Sequence, residues 1–246
     1  MIERKRKILD ILMNESNTTV SELAKSVNVS VVTLRADLDS LEQDGLIVRT
    51  RGGALPAFHS KIYESISSRR DAKSAIAKIA AREINDGDTV MIGTGTTTSL
   101  IGKYLLGKRD IHIVTNNTLL LPYARVNPQL RITLVGGEFR PSVEGVVGPL
   151  ALRELEQFHV PKAFIGTDGV CLEQGFTADF IEGAEFVRKI AERADEVYVV
   201  ADSSKFGKPG FAKILPIDGI DVLICDDGID PEVEKVFKKV KVKVLK

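Results

Sequence analysis

Apolar residues in the first part of the chain recur at helical spacing and then change to strict alternation. A first helical stripe comprises Ile8, Leu9, Ile11 and Leu12. A later stripe at i, i+3, i+7 and i+10 comprises Val31, Leu34, Leu38 and Leu41. The run LIVRTRGGAL then alternates apolar residues with arginine around a Gly-Gly tip, which is typical of a β-hairpin. The pattern predicts a winged helix-turn-helix domain over residues 1–58.

Local signals divide this domain into its elements. Ser21 is suited to cap a short helix of about two turns, and Asn28 can adopt the left-handed conformation that ends it. Ser30 is positioned to cap the following helix, and Gly45 is suited to end that helix. The helix that begins after Ser30 is therefore the predicted recognition helix.

The start of a recognition helix reads base edges in the major groove, and a wing contacts the phosphate backbone. Val32 suits a thymine methyl group because it is apolar. The predicted DNA-contacting residues on the helix and the wing are Ser30, Val32, Thr33, Arg35, Arg49, Arg51 and Gly52. Double-stranded operator DNA is therefore the predicted macromolecular partner.

Charge counts alone do not favour DNA. The 34 basic residues of the chain balance the 34 acidic ones, and residues 1–58 are also neutral, with eight of each sign. A small helical domain that binds protein is therefore an alternative. The distribution favours DNA, because the bases gather at the first helix, the start of the recognition helix and the wing, whereas four acids lie toward the far end of that helix.

Residues 59–70 mix serine, charged and apolar residues without a sustained period, which indicates a linker with a turn or two of helix. In residues 71–246, strand-like runs alternate with amphipathic helices. The predicted strands begin at Thr89, Ile111, Arg131, Lys162, Glu196, Val222 and Val240. The predicted helices include Ser99 to Leu106 and Pro231 to Lys239, the latter capped by Asp230. This alternation predicts an α/β fold with an open, largely parallel, Rossmann-like sheet.

Polar or glycine-rich segments follow most of these strands, where ligands bind in parallel sheets. The first, GTGTTT from Gly93, leads into a helix whose free N–H groups attract an anion, and a phosphate is the natural candidate. The segment lacks the lysine of a Walker motif and the third glycine of a dinucleotide fingerprint. The predicted effector-binding residues are Gly95, Thr96, Thr97, Thr98, Asn116, Gly137, Glu138, Arg140, Asp168, Gly169 and Lys205.

Within this set, Lys205 would oppose the phosphate charge, and Asn116, Glu138 and Asp168 would bind hydroxyl groups. The alternative is that the Gly-Thr loop only caps a helix and that Lys205 is solvated. No cofactor or metal is predicted, because the three histidines are scattered without the spacing of metal ligands. Cys171 and Cys225 are expected to be buried and reduced. No apolar run approaches a membrane span and no signal peptide is evident, so we expect a cytoplasmic protein.

The ordered motifs resemble those of the DeoR family of bacterial transcription regulators over nearly the whole chain. They include SELAKSVNVSVVTLRADLDSLEQDGLIVRTRGGA, DGDTVMIGTGTTT, VTNN, LVGGEFR, KAFIGTDG and ADSSKFG. The resemblance implies a winged-helix domain and a sensor domain related in fold to ribose-phosphate isomerase and glucosamine-phosphate deaminase. It also implies a phosphorylated sugar or related intermediate as inducer, and a homo-oligomer that engages repeated operator sites.

The chain departs from the family pattern at several positions. Family members usually have an acidic residue at Val31 and a second basic residue at Ala36, and both differences bear on the operator sequence. The first sensor strand usually ends in aspartate where this chain has Gly93, and a lysine is expected at Val187. These last two differences bear on the identity of the effector.

Two functions follow as hypotheses. The first is a DNA-binding regulator, a repressor of a sugar-metabolism operon that is released from its operator by a phosphorylated sugar. The alternative is a sugar-phosphate isomerase or deaminase with an added DNA-binding module, in which Asp168 or Glu138 would be the general base. The sequence supplies acids but no evident acid/base pair, so the regulator is the favoured hypothesis and the chain is not predicted to be an enzyme.

Overall fold

The computed structural model describes residues 3–15 and 18–246, and the chain divides into two compact units, Met1–Ser65 and Ile66–Lys246. Helix α4 runs across this division. The elements up to that point are α1 (Glu3–Asn14), α2 (Val20–Ser26), α3 (Val31–Gln43), β1 (Ile47–Thr50), β2 (Gly53–Pro56) and α4 (Ser60–Ser67).

The first unit is a winged helix-turn-helix, as the sequence predicts. Helices α1, α2 and α3 bury Ile8, Leu9, Leu23, Leu34 and Leu38 in one core. Strands β1 and β2 form an antiparallel hairpin in which Thr50 pairs with Gly53. The predicted Leu-rich stripe of α3 is correct except at its first position, because Val31 is 36% exposed.

The cap of α2 differs from the prediction. Thr19, not Ser21, is the N-cap, and its hydroxyl accepts the N–H of Glu22 while the Glu22 carboxylate accepts the N–H of Thr19 at 2.9 Å. This reciprocal capping box starts the helix two residues earlier than a lone serine cap would. The predicted roles of Asn28 and Ser30 are confirmed: Asn28 has a φ of 54°, and Ser30 caps α3.

The second unit alternates strands and helices along most of its length. Its elements are α5 (Arg70–Arg82), β3 (Thr89–Ile92), α6 (Thr96–Ser99), α7 (Ile101–Tyr104), β4 (Ile111–Thr115), α8 (Leu121–Val126), β5 (Leu130–Leu134), β6 (Glu138–Arg140), β7 (Gly145–Val147), α9 (Pro149–Leu155), β8 (Val160–Gly166), β9 (Gly169–Cys171), β10 (Gly175–Ala178), α10 (Ile181–Glu192), β11 (Ala194–Val200), β12 (Ala212–Leu215), β13 (Val222–Ile224), α11 (Pro231–Lys239) and β14 (Lys243–Leu245).

A seven-stranded sheet in the order β14-β13-β11-β8-β3-β4-β5 forms the centre of this unit, and every neighbouring pair is parallel. The predicted parallel α/β fold is thus confirmed. Two separate apolar clusters are present, one including Phe176, Phe186 and Phe237 and the other including Ile76, Ile113 and Phe164. The strand order reverses between β3 and β8, so the loops that follow these two strands flank a crevice at that point.

Two features of the second unit differ from the sequence prediction. The predicted helix Ser99 to Leu106 is instead two short helices, α6 and α7, that meet at Leu100. The segments predicted as strand-end loops also contain short strands: β6 pairs with β7, and β9, β10 and β12 form a small antiparallel sheet. These strands are only three or four residues long, which is too short for a hydrophobic period to reveal them in the sequence.

Candidate functional site

The exposed face of α3 carries most of the predicted base-reading residues. Val32 is 77% exposed and Arg35 is exposed, whereas Leu34 on the opposite face is fully buried. The Ser30 hydroxyl accepts the N–H of Thr33 at 3.1 Å, and the two hydroxyls lie 2.9 Å apart. A large apolar side chain this exposed on a helix suits contact with another molecule, and Arg35 lies one turn farther along the helix.

The wing brings its two arginines into different surroundings. Arg49 Nη1 lies 2.7 Å from Asp39 Oδ1 of α3, and the Arg49 N–H donates to Glu42 at 3.3 Å. Arg51 is exposed beside Gly52, which has a φ of 93° at the tip. Arg49 therefore anchors the hairpin to the recognition helix, while Arg51 is directed to solvent and is the better placed of the two for a phosphate.

Two basic residues of α1 form contacts within the DNA-binding domain. The Arg4 guanidinium makes a bidentate pair with Asp37 of α3, with Nε–Oδ2 at 2.6 Å and Nη2–Oδ1 at 2.9 Å. The hydrogen bond to Asp37 raises the pKa of Arg4 above its usual value. Lys5 donates to Ser40 at 2.5 Å. The basic edge that the sequence suggested for DNA therefore includes two residues that fasten α1 to the recognition helix.

In the second unit, the loop after β3 is fixed by an asparagine from the loop after β4. Asn117 Nδ2 donates to the carbonyl oxygens of Gly93 at 3.2 Å and Gly95 at 3.0 Å, and it lies 3.3 Å from Thr98 Oγ1. Thr98 is fully buried and its hydroxyl donates to Gly95 O at 2.9 Å. Thr98 therefore shapes the loop, while Thr96 and Thr97 are partly exposed.

Asn116 lies beside the hairpin of β6 and β7. Its side-chain N–H donates to the carbonyl of Val146 at 2.8 Å, and the Val146 N–H donates to the Asn116 carbonyl at 3.0 Å. Among the side chains of residues 3–15 and 18–246, Asn116 Oδ1 and Arg49 Nε are the two buried polar atoms without a hydrogen-bond partner. A buried acceptor without a donor is unfavourable, so Oδ1 is suited to a hydroxyl that reaches it.

Three further predicted residues, Gly137, Glu138 and Arg140, lie at the β6–β7 hairpin. Glu138 is exposed on β6, and Arg140 pairs with Glu182 at the start of α10 at 2.8 Å and lies over the Phe180 ring at 5.0 Å. Gly137 has a φ of 146°, a conformation that favours glycine. Arg140 therefore joins the β6–β7 hairpin to α10 in this conformation.

Asp168 and Gly169 belong to the small antiparallel sheet. The exposed Asp168 carboxylate accepts the N–H of Asp179 at 2.9 Å. A Cβ atom at Gly169 would collide with the carbonyl oxygen of Lys208 and lie 2.9 Å from Thr177 Oγ1. Gly169 is thus required by the close approach of two backbone segments, and its predicted effector contact would have to come from its backbone.

The sequence prediction missed two charged residues, one in helix α5 and one directly before it. Lys73 is 4% exposed, and its Nζ lies 3.2 Å from Thr96 Oγ1. Burial lowers the pKa of Lys73 to about 8, with Asp202 raising it and Lys205 lowering it further. Arg69, directly before the helix, donates to Ser203 Oγ at 2.5 Å and to Asp226 at 3.0 Å. The burial of Lys73 could have been predicted from the helical period, because position 73 lies on the same face of α5 as the buried Ile76, Ala77 and Ala80.

Lys73 of α5 therefore contacts Thr96 in the loop that follows β3, and the charge of Lys205, in the loop that follows β11, acts on its ammonium group. Such a cluster of cations and hydroxyls beside a topological switch point is suited to bind an anion. Residues 4–57 match the model of the DeoR-like helix-turn-helix domain, and residues 68–227 match that of the DeoR C terminal sensor domain. The chain belongs to the DeoR family of transcription regulators.

Full-length relatives agree with this membership. The HTH-type transcriptional repressor GlcR of Bacillus subtilis is 34% identical over 91% of this chain and 88% of its own length. The HTH-type transcriptional regulator YulB of the same organism is 31% identical, over 98% of this chain and 95% of its own. The chain is therefore a DNA-binding transcriptional regulator.

Among solved structures, a little over half of this DeoR-family regulator is similar to ribose-5-phosphate isomerases. One such isomerase, in complex with phospho-erythronic acid, has a TM-score of 0.41 and 20% identity over 56% of this chain and 54% of its own. The enzyme of Methanocaldococcus jannaschii has a TM-score of 0.40, also at 20% identity, over 56% and 55%. The chain spans about half the length of these isomerases.

The departures of this DeoR-family regulator from the usual pattern occupy different environments. Ala36 is exposed on α3, so the absent basic residue would have been directed to solvent. A Cβ atom at Gly93 would lie 3.2 Å from Ile190 Cδ1, which leaves little room for a larger side chain unless Ile190 shifts. Val187 belongs to an apolar cluster, and Arg188 beside it donates to the carbonyl of Lys213.

Neither a membrane span nor a metal site is present among residues 3–15 and 18–246. No helix there has both the length and the apolar character that a membrane span requires. No group of histidine, cysteine and carboxylate side chains in residues 3–15 and 18–246 is arranged to hold a metal ion.

Proposed function

We propose that this DeoR-family regulator is a repressor of a sugar-metabolism operon and leaves its operator when a small phosphorylated sugar binds the sensor unit. The observation that carries the proposal is the cluster at the switch point, where Lys73 contacts Thr96 and experiences the charge of Lys205. Cations and hydroxyls are suited to a phosphate. Repression is supported by the relative GlcR, whose name describes it as a repressor.

The sugar part of the proposed effector is argued from hydrogen-bonding groups near the same loops. Asn116 Oδ1 is a buried acceptor without a donor, and Asn116 lies directly after β4, the strand adjacent to β3. Asp168, between β8 and β9, and Glu138, on β6, carry exposed carboxylates. Acceptors of this kind suit hydroxyl groups, so a polyhydroxylated phosphate ester fits the site better than inorganic phosphate does.

Effector binding and DNA binding are proposed to be thermodynamically linked, so that each changes the affinity for the other. The effector binds one conformation of a sensor homo-oligomer better than another, and residues 56–70 transmit the difference as a change in the spacing of paired DNA-binding domains. Pairing is argued from charge, because residues 1–58 are neutral and Arg4, Lys5 and Arg49 have partners within their own domain. A single domain would therefore bind weakly, and two linked domains would gain affinity through effective concentration.

The enzyme alternative has less support. Proton transfer at a sugar carbon needs a carboxylate held against the substrate. Asp168 and Glu138 are exposed, and one Asp168 oxygen accepts the N–H of Asp179. Turnover of an aldose or ketose phosphate by the purified chain would displace the view that it acts only as a sensor. A cytoplasmic location and the absence of a cofactor stay predictions.

A combined binding experiment tests the proposal. The full chain would be titrated onto a duplex from its own upstream region and onto a random duplex at several salt concentrations, with and without a panel of sugar phosphates. We expect a salt-dependent preference for the upstream duplex that one panel member weakens, and the same compound should raise the melting temperature of the free protein. Equal binding to both duplexes at every salt concentration would refute the proposed function.

A further inference from the structure

Lys73 lies at a position where the pattern of its helix calls for an apolar residue. Helix α5 buries Ile76, Ala77, Ala80 and Ala81, and Lys73 precedes them on the same stripe with 4% of its surface exposed. Lysine is rarely buried to this extent, because its charged form loses hydration. The other lysine of the helix, Lys78, is exposed. The burial of Lys73 is therefore a specific feature of this position.

The ammonium group of Lys73 is directed at the loop that follows β3. Its Nζ lies 3.2 Å from Thr96 Oγ1 and 3.4 Å from Ser68 Oγ. Thr96 is the first residue after Gly95, whose φ of 148° favours glycine and sets the direction of the loop. The Lys73 ammonium group therefore contacts the first helical residue of the segment in which the phosphate is proposed to bind.

Burial and the neighbouring charges make the ammonium form of Lys73 less stable than it is in water. Asp202 is 2% exposed and favours the charged form, but burial is the larger effect and Lys205 acts in the same direction as burial. Asp202 has other donors of its own, since its Oδ1 accepts the N–H of Ser204 at 3.0 Å. An added anion beside Thr96 would stabilise Lys73 and Lys205 together.

We propose that Lys73 is a direct ligand of the anionic group of the effector and that it acts together with Lys205. This inference rests on the proposed function and defines its effector further. Two lysines and the hydroxyl of Thr96 match a dianionic phosphate, whereas a carboxylate carries only one charge. The preferred effectors are therefore phosphate esters, and sugar acids without phosphate bind weakly.

The test uses the full chain and three substitutions. Lys73→Met keeps most of the length of the side chain and an unbranched apolar stem and removes its charge, while Lys78→Met makes the same change at the exposed lysine of the same helix. Lys205→Ala removes the second proposed cation. Inorganic phosphate and a panel of sugar phosphates are titrated against each protein, and the midpoints of the thermal shift are compared.

We expect Lys73→Met to weaken phosphate and sugar-phosphate binding at least tenfold, with Lys78→Met close to the parent. Operator binding and the far-ultraviolet circular dichroism of Lys73→Met should match those of the parent, which would show that the variant is folded. Parent-like phosphate binding by Lys73→Met, with Lys205→Ala impaired, would overturn this inference and leave the proposed function standing. Failure of the parent to bind any phosphate compound would refute both.

Discussion

The guanidinium of Arg69 lies 3.0 Å from the carboxylate of Asp226, measured between Nη2 and Oδ2. Arg69 is the residue before α5 and has a left-handed backbone with a φ of 52°, while Asp226 follows β13 in the central sheet. Arg69 also donates to Ser203, which precedes Lys205 by two residues. The end of the linker is therefore attached to the loop that carries a proposed effector ligand.

Replacing Arg69 with Ala is expected to uncouple the sensor from DNA. The Arg69 side chain is 45% exposed, so its ion pair contributes at most about 1 kcal/mol to stability. The variant should therefore bind operator and sugar phosphate like the parent, but sugar phosphate should no longer release the operator. Fluorescence anisotropy on labelled operator measures the release. Arg70→Ala is the matched control, and an unchanged release by Arg69→Ala would argue against the attachment as a coupling element.

Replacing Arg35 with Ala is expected to lower operator affinity and relax the sequence preference. A bidentate contact between an arginine and a guanine edge contributes about 1–3 kcal/mol of discrimination. Arg51→Ala is the comparison, because a phosphate contact should weaken binding to all duplexes and reduce the salt dependence. Titrations of operator and random duplex at several salt concentrations separate the two effects. Retained operator specificity in Arg35→Ala would exclude a base-reading role for this residue.

Replacing Lys205 with Ala is expected to abolish the response to effector and to leave operator binding intact. Lys205 is partly exposed in the turn after β11, so its truncation leaves no large cavity. The same anisotropy assay, with sugar phosphate added to the preformed operator complex, measures the loss. A variant that is instead unfolded by circular dichroism would indicate a structural role for Lys205.

The anion response should depend on pH through Lys73, which faces Asp202 and Lys205. Burial lowers the folded-state pKa of Lys73 from 10.5 to about 8, so the unfolded chain binds more protons between these values. Without anion, the contribution of this lysine to the free energy of unfolding should therefore rise from pH 8 to 10.5. Stabilisation by sulfate, which stays a dianion, should fall over the pH range around 8 as Lys73 loses its charge.

Denaturant titrations between pH 7 and 10, with and without sulfate, measure both trends. In Lys73→Met, the free energy of unfolding and the stabilisation by sulfate should both lose the pH dependence that Lys73 causes. Lys78→Met should retain it. A sulfate effect in the parent that is constant across pH 8 would contradict the assignment of Lys73 to the anion site.

Replacing Gly169 with Ala is expected to destabilise the sensor unit by about 3 kcal/mol or more, because overlap with a backbone atom cannot be relieved by side-chain rotation. The added Cβ atom would meet the carbonyl oxygen of Lys208. Gly207→Ala is the control: its φ of 73° disfavours alanine, but no atom lies within 4 Å of the new Cβ, so about 1 kcal/mol is expected. Equal costs for the two variants in urea denaturation would show that the close approach is not maintained in solution.

Much of the fold could be predicted from short-range signals. The helical period of α3, the Ser30 cap and the alternation of β1 and β2 are local, so the winged helix could be recognised without tertiary information. The strands from β3 to β14 that form the central sheet are apolar runs between helices, and they too were predicted. Short strands such as β6 and β9 could not be predicted, because three residues are too few to show a hydrophobic period.

The sequence by itself determined the two kinds of domain, the recognition helix and the glycine-threonine loop after β3 that is proposed to bind an anion, because helix caps, glycines and hydrophobic periods act over a few residues. Only the tertiary structure decided which charged side chains are paired within the protein and which can contact a ligand or DNA. It paired Arg4 with Asp37 and Arg49 with Asp39, and it brought Lys73 to Thr96 across 23 positions of sequence. The physical reason is that the energy of a charge depends on its partners and its burial, and both are set by residues that are distant along the chain.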